Sequence, residues 1–199
     1  MAKRSSNDVA NEGVAEDAGN SDMPVALLER ARVVSALLDY GIALTAEAKA
    51  MTRDGKTAKE AGVPSKAAIN HLERAQLLWN RFTAAELETE NSGGGSITEL
   101  EPAVLNALSA AWQAAGERDR ALHFEELSVA ALLRIHGEGT PHPDIAFALH
   151  GLAVALKQCR KREDATEKCK ESLGMMQDLN FPDTHPGVRL AAALLHELL

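Results

Sequence analysis

Aromatic residues are scarce in this sequence: two Trp, one Tyr and four Phe, or 4% of 199 residues. Strands draw heavily on aromatic and β-branched side chains, so a β-rich fold has little to build with. Cysteine is nearly absent too. Cys159 and Cys169 could form one disulfide at most, too few for a disulfide framework, and a reducing, cytoplasmic compartment is expected. No stretch approaches the roughly 18 uninterrupted apolar residues that a membrane span needs, and the opening Met1 to Ser6 has no apolar run behind its two positive charges. Positive charge is in deficit: 21 Lys and Arg stand against 29 Asp and Glu, a net of −8, with no basic block. Nucleic acid and anionic membrane surfaces are therefore unfavourable partners. Catalytic signatures are missing as well. There is no nucleophile elbow, phosphate loop, dinucleotide fingerprint or two-His-plus-Glu zinc helix, so the expectation is no catalytic residue, no cofactor and no enzymatic activity.

What is abundant is Ala and Leu, within a hydrophobic fraction of 45%. That is the composition of tightly packed helices and predicts an all-α fold. Residues 1–23 carry five acids against two bases and no aromatic residue, which predicts a disordered acidic tail. From Pro24 the apolar positions recur at helical spacing to about Met51, with Asp22 as the expected cap. Asp54-Gly55 and Gly62-Val63-Pro64 predict a break, and Ser65 the start of a second helix through Phe82. Asn91 to Ser96, with three consecutive Gly, reads as a loop. Beyond it the spacing predicts helices over about 102–115, 119–136, 143–158, 163–178 and from Pro186 onward. Only short polar turns separate the middle helices, which forces antiparallel pairs.

Those pairs repeat. Leu105, Leu108, Ser109, Trp112, Ala121, Glu125 and Ser128 each have a counterpart 44 residues later in Leu149, Leu152, Ala153, Leu156, Ala165, Cys169 and Ser172. Small residues at Ser109 or Ala153 and at Ala121 or Ala165 let two helices approach, while the large columns fill the space beside them. A degenerate unit lies upstream, with Leu37, Tyr40, Gly41 and Leu44 followed by Ala68, Leu72 and Ala75. Its helices stand 15 residues further apart than those of the next unit. Another unit opens at His185-Pro186, 43 residues after His142-Pro143. The division expected is a tail over 1–23 and one repeat domain over 24–199, with units of about 24–90, 101–141 and 142–184 and a final helix over 185–199.

The column spacing fits a tetratricopeptide repeat. His142-Pro143-Asp144-Ile145-Ala146, followed by Ala148 to Ala153, resembles the long repeats of the kinesin light chain type, in which His-Pro-Asp opens each unit. The resemblance implies a right-handed superhelix of stacked helix pairs, acting as a non-catalytic scaffold or adaptor for a protein or peptide partner. In that family the first helix of each pair lines a concave groove that takes a segment of another protein. Carried onto this sequence, the groove positions are Asp39 and Thr45, then Asn106 and Gln113, then Phe147, His150, Lys157 and Gln158.

The remaining candidates carry blander expectations. His136, His142 and Asp144 form the closest metal-type group, but His-Pro recurs at 185–186, which assigns these rings to capping or packing, and no metal is expected. Cys169 falls in a buried column and reads as a small hydrophobe. Glu125-Glu126 and Glu86, Glu88 and Glu90 read as exposed helix faces. The last helix carries a wide apolar arc, from which Leu194, Leu198 or Leu199 is expected to touch another chain, possible homo-oligomer contacts that supply the alternative function of a structural subunit.

Overall fold

The computed structural model describes residues 25–55, 58–81 and 97–199, and every regular element among them is helical. The helices are α1 (Val25–Arg53), α2 (Ala58–Trp79), α3 (Leu100–Ala114), α4 (Arg118–His136), α5 (Pro143–Gln158), α6 (Arg162–Asp178) and α7 (Pro186–Leu198), with a 3₁₀ turn over Ile97–Glu99 leading into α3. The expected tail over 1–23, the loop over 91–96, Phe82 and the acids Glu86, Glu88 and Glu90 lie outside the described residues. Helices α1 and α2, α3 and α4, and α5 and α6 pack as antiparallel pairs, each pair lies against the next, and α7 packs on α6.

Local chemistry sets the boundaries. At the start of α5 the His142 ring accepts a hydrogen bond at Nδ1 from the Asp144 N–H (3.3 Å), and at the start of α7 His185 accepts one from the Gly187 N–H (3.1 Å). In both cases the next residue is Pro, whose missing donor would have had no partner in the first turn. The C-terminal ends of α3, α5 and α6 share one turn. The N–H of Glu117 reaches the carbonyl of Trp112 and that of Gly116 the carbonyl of Gln113, a pattern repeated by Lys161 to Leu156 and Arg160 to Lys157, and again by Phe181 to Met176 and Asn180 to Gln177. Each is a Schellman turn, in which the residue just past the helix takes a left-handed backbone. Gly116 does so at φ 83°, but Arg160 and Asn180 do so at 63° and 57°, where a side chain opposes the conformation.

Helix α2 departs from the expectation. It begins before Gly62 and runs through Pro64, so Ser65 is not a cap but a fully buried residue inside the helix. A proline two turns in removes one backbone hydrogen bond; the apolar stripe of Ala68, Ile69, Leu72 and Ala75, all buried against α1 and α3, offsets that loss. The close approach of α1 and α2 rests on Gly41, where a Cβ would stand only 2.5 Å from the Leu72 Cγ.

The core falls into two clusters. One joins α1, α2 and α3 around Val34, Leu72, Trp79, Val104 and Leu108, and the other joins α4 to α7 around Leu132, Ile145, Leu149, Cys169 and Leu194. The seam between α3 and α4 is lined instead by small and polar groups, Ser109, Ala121, Glu125 and Ser128, all buried. Two hydroxyls pin the pairs in register. Ser128 Oγ donates to the Pro102 carbonyl (3.2 Å) and Ser172 Oγ to the Ala146 carbonyl (2.7 Å), the same bond one repeat apart.

Candidate functional site

Asn106 occupies a central place. It is exposed on α3 and lines two clefts, one on either side of its helix. The cleft toward α1, about 390 Å³, is built from two matched helical stripes: Ile42, Thr45, Ala46 and Lys49 face Ala103, Asn106, Ala107 and Ala110. Both stripes run i, i+3, i+4, i+7, the spacing of one helix face, and their small side chains leave the space open. The cleft toward α5, about 380 Å³, is lined by Pro102, Asn106, Leu132, Asp144, Phe147 and Ala148, among others. Its apolar rim includes Phe147, whose ring stacks with Phe181 and His185 at centroid distances of 5.9 and 6.0 Å. That stack needs Gly187, since a Cβ there would meet the Phe147 ring at 2.6 Å.

The expected groove residues are thus brought together in part. Thr45, Asn106 and Phe147 line the two clefts, but the Thr45 hydroxyl is turned onto its own helix and donates to the Gly41 carbonyl (2.8 Å). Asp39 is exposed on α1. Gln113 points inward, with Nε2 donating to Ser109 Oγ (3.4 Å). His150 is half-buried, with Nδ1 shielded from solvent and without a hydrogen-bond partner, and burial holds its pKa below the ordinary 6.5. Lys157 is engaged by Glu197 of α7, and Gln158 lies in a separate cleft at the turn ends, beside Arg118, Asp119 and Cys159. Lys49 and Asp144 were not among the expected groove residues, though they line the clefts. Lys49 was legible as the next turn of the Ile42, Thr45, Ala46 stripe.

Two expectations about contact surfaces are corrected. Leu194 and Leu198 are 7% and 4% exposed because, with Ala191, they pack into the apolar cluster of α5 and α6 beneath α7, while Arg162 donates to the Leu198 carbonyl and Lys157 pairs with Glu197 at the helix edge. Leu199, 80% exposed, and the unanticipated Leu190, 61% exposed, remain outward. Glu125 is the second. It is only 4% exposed, beneath α3 and α5: Ser109 Oγ donates to its Oε1 (3.0 Å), while Oε2 is buried without a hydrogen-bond partner. Desolvation pushes its pKa from 4.5 up to about 7, against the opposing pull of the Ser109 hydroxyl and the Lys49 charge. Gly151 makes the room, since a Cβ at that position would sit 3.1 Å from the same Oε2. The thiols go separate ways. Cys169, fully buried, donates to the Ala191 carbonyl (3.1 Å), whereas Cys159 faces the Arg118 carbonyl and Asp119, and both are free.

The sequence matches no family model and no curated protein. Among solved structures, the chain is similar to BtubC (BKLC) from P. vanneervenii, at 19% identity and a TM-score of 0.48. The likeness covers 87% of this chain but 65% of that one, so the chain spans less than two thirds of its length. Among the described residues no helix is long and apolar enough to cross a membrane.

Proposed function

We propose that the chain is a non-catalytic adaptor of the tetratricopeptide type, with units over about 24–90, 101–141 and 142–184, that takes an extended or helical segment of a partner protein along its first helices. The observation that supports this reading is the pair of clefts meeting at Asn106, between α1 and α3 and between α3 and α5. Together they offer apolar surface (Ile42, Ala103, Phe147) interrupted by a side-chain amide (Asn106), a cation (Lys49) and an anion (Asp144). Such a surface holds a peptide by burying its apolar side chains while the amide and charges fix backbone and polarity. Because the clefts stand on rigid helices, little ordering cost is added on binding.

The test is a replacement of Asn106 by Arg, which sets a long cation at the point where the two clefts meet, from an exposed position that leaves the core untouched. A partner recovered from source lysate with the wild-type chain is expected to be lost with Asn106→Arg, at unchanged thermal stability. A partner retained equally by both chains would overturn the groove assignment. The alternative, a structural subunit, draws on the outward Leu190 and Leu199 of α7. It predicts a mass in sedimentation equilibrium that rises with concentration and returns to the monomer value in Leu190→Lys.

A further inference from the structure

The His-Pro openings of α5 and α7 act alike as caps, yet their surroundings differ, and the difference separates capping from a second role. Around His185 the neighbours are the Phe147 and Phe181 rings and Gly187, none of which can ligate a cation through its side chain. Around His142 they are His136, from the last turn of α4, and Asp144, from the first turn of α5. One donor atom from each of these three side chains lies within 4.8 Å of the others. The two imidazole rings stack at 3.5 Å between centroids with planes 13° apart. His136 Nε2 is shielded from solvent and has no hydrogen-bond partner. Capping accounts for His142 and the stack for the place of the His136 ring, but neither gives His136 Nε2 a partner, and an imidazole nitrogen left without one away from water is a cost that a ligand would remove.

We propose that His136, His142 and Asp144 form a divalent transition-metal site, best suited to zinc, at the joint between the α3/α4 and α5/α6 pairs. Two imidazole nitrogens and one carboxylate oxygen are a ligand set that zinc accepts at about 2.0–2.2 Å, leaving a further position for water or another donor. Donors in a tetrahedral shell stand about 3.3 Å apart, and an imidazole ligates through a lone pair in its ring plane, so the two rings must leave their parallel stack and turn edge-on for both nitrogens to converge on the ion. His142 and Asp144 are one third and more than half exposed, which gives the ion a route in from solvent. The bound ion would fasten the connector between the two pairs, in which Gly137 and Gly139 adopt positive φ. Asp144 also lines the cleft shared by Asn106 and Phe147, which places the ion at the edge of the partner-binding surface.

The experiment titrates the metal-stripped full chain with zinc alone, in competition with a chromophoric chelator. Four chains are compared: wild type, His136→Phe, which keeps an aromatic ring for the stack but has no donor, Asp144→Asn, and His185→Ala as the capping control. The expected result is one equivalent of zinc held by wild type and by His185→Ala, and affinity at least tenfold weaker in the other two. Removing a group that only orients a ligand already costs about 10- to 100-fold. Absence of stoichiometric binding, an affinity unchanged in either His136→Phe or Asp144→Asn, or an equal loss in His185→Ala would overturn the site. Circular dichroism accompanies each chain, and should His136→Phe fail to fold, the exposed Asp144→Asn decides alone.

Discussion

The α3/α4 and α5/α6 pairs share one backbone plan and differ in what fills the seam between their helices. In α5/α6 the seam residues Ala153, Ala165 and Cys169 belong to an apolar cluster that continues into α4 and α7. In α3/α4 the same columns hold Ser109, Ala121 and Glu125, and the apolar core divides there, α3 joining α1 and α2 with Phe124 of α4 against them, while Leu122, Val129 and Leu132 of α4 join the helices beyond. The size of a column therefore governs how closely helices approach, and its polarity governs how the core is shared. A polar seam keeps the geometry but introduces a titrating group, so the two halves of the molecule respond differently to pH.

The comparison breaks most visibly with cavities on either side of the seam. Leu108 and Leu152 occupy the same column in different clusters, and Leu108→Ala and Leu152→Ala should each cost about 2–5 kcal/mol in urea unfolding. If the seam divides the core, the double variant should be additive within about 0.5 kcal/mol; strong coupling would mean one continuous core. Glu125→Gln comes next. The folded carboxyl keeps its proton up to about pH 7, whereas the unfolded one releases it near 4.5, so the native state binds more protons in that window and stability falls as pH rises through it. Glu125→Gln should therefore stabilise the chain by about 3 kcal/mol at pH 8 and remove the fall in stability with rising pH between these values. His150 runs the other way. With its folded pKa depressed, it contributes stability above about 6.5 that is lost as pH falls below that value, and the Glu125→Gln curve should retain this acid loss. A curve with the wild-type slope would sink the account of the seam.

Smaller effects sharpen the likeness instead. Ser128→Ala and Ser172→Ala each remove one buried hydroxyl-to-carbonyl bond, and each should cost about 1 kcal/mol, with nearly equal values if the pairs are equivalent. The smallest change is a gain. Arg160 stands where the preceding pair has Gly116, and both backbones are left-handed, so Arg160→Gly should stabilise by up to about 1 kcal/mol in thermal melts. Destabilisation there would show that the Arg160 side chain makes a contact worth more than the backbone strain.

Much of the fold was legible because its signals were local and repeated. The ends of α3 to α7 fall within two residues of expectation, since Pro143 and Pro186 mark starts and the turn at 116–117 repeats at 160–161. Pro64 misled for the same reason: the rule that proline breaks a helix is local, and burial of Ala68, Leu72 and Ala75 overrode it. Glu125 shows the opposite failure. Its column partner Cys169 was read as buried, but the charge of a glutamate argued for the surface, and only the structure reveals the Ser109 donor and the space left by Gly151 that permit burial. Leu194 and Leu198 were misplaced because a helical stripe defines an apolar face without saying which neighbour covers it. Of the groove positions implied by the family resemblance, Asn106 and Phe147 do line clefts. Gln113 does not, because its side chain turns inward onto Ser109 in the seam.

The short reach of the hydroxyl pins has a consequence for the order of assembly. Ser128 bonds to a carbonyl 26 residues earlier, Ser172 likewise, and Ser109 meets Glu125 at a separation of 16. Contacts this local require little loop closure before they form, which places the chain among the fast-folding topologies. Each pair can lock its own register within about 40 residues of newly made chain and fold as a unit while synthesis continues, so that the α5/α6 pair docks onto an α3/α4 pair already in register and α7 settles on a finished surface.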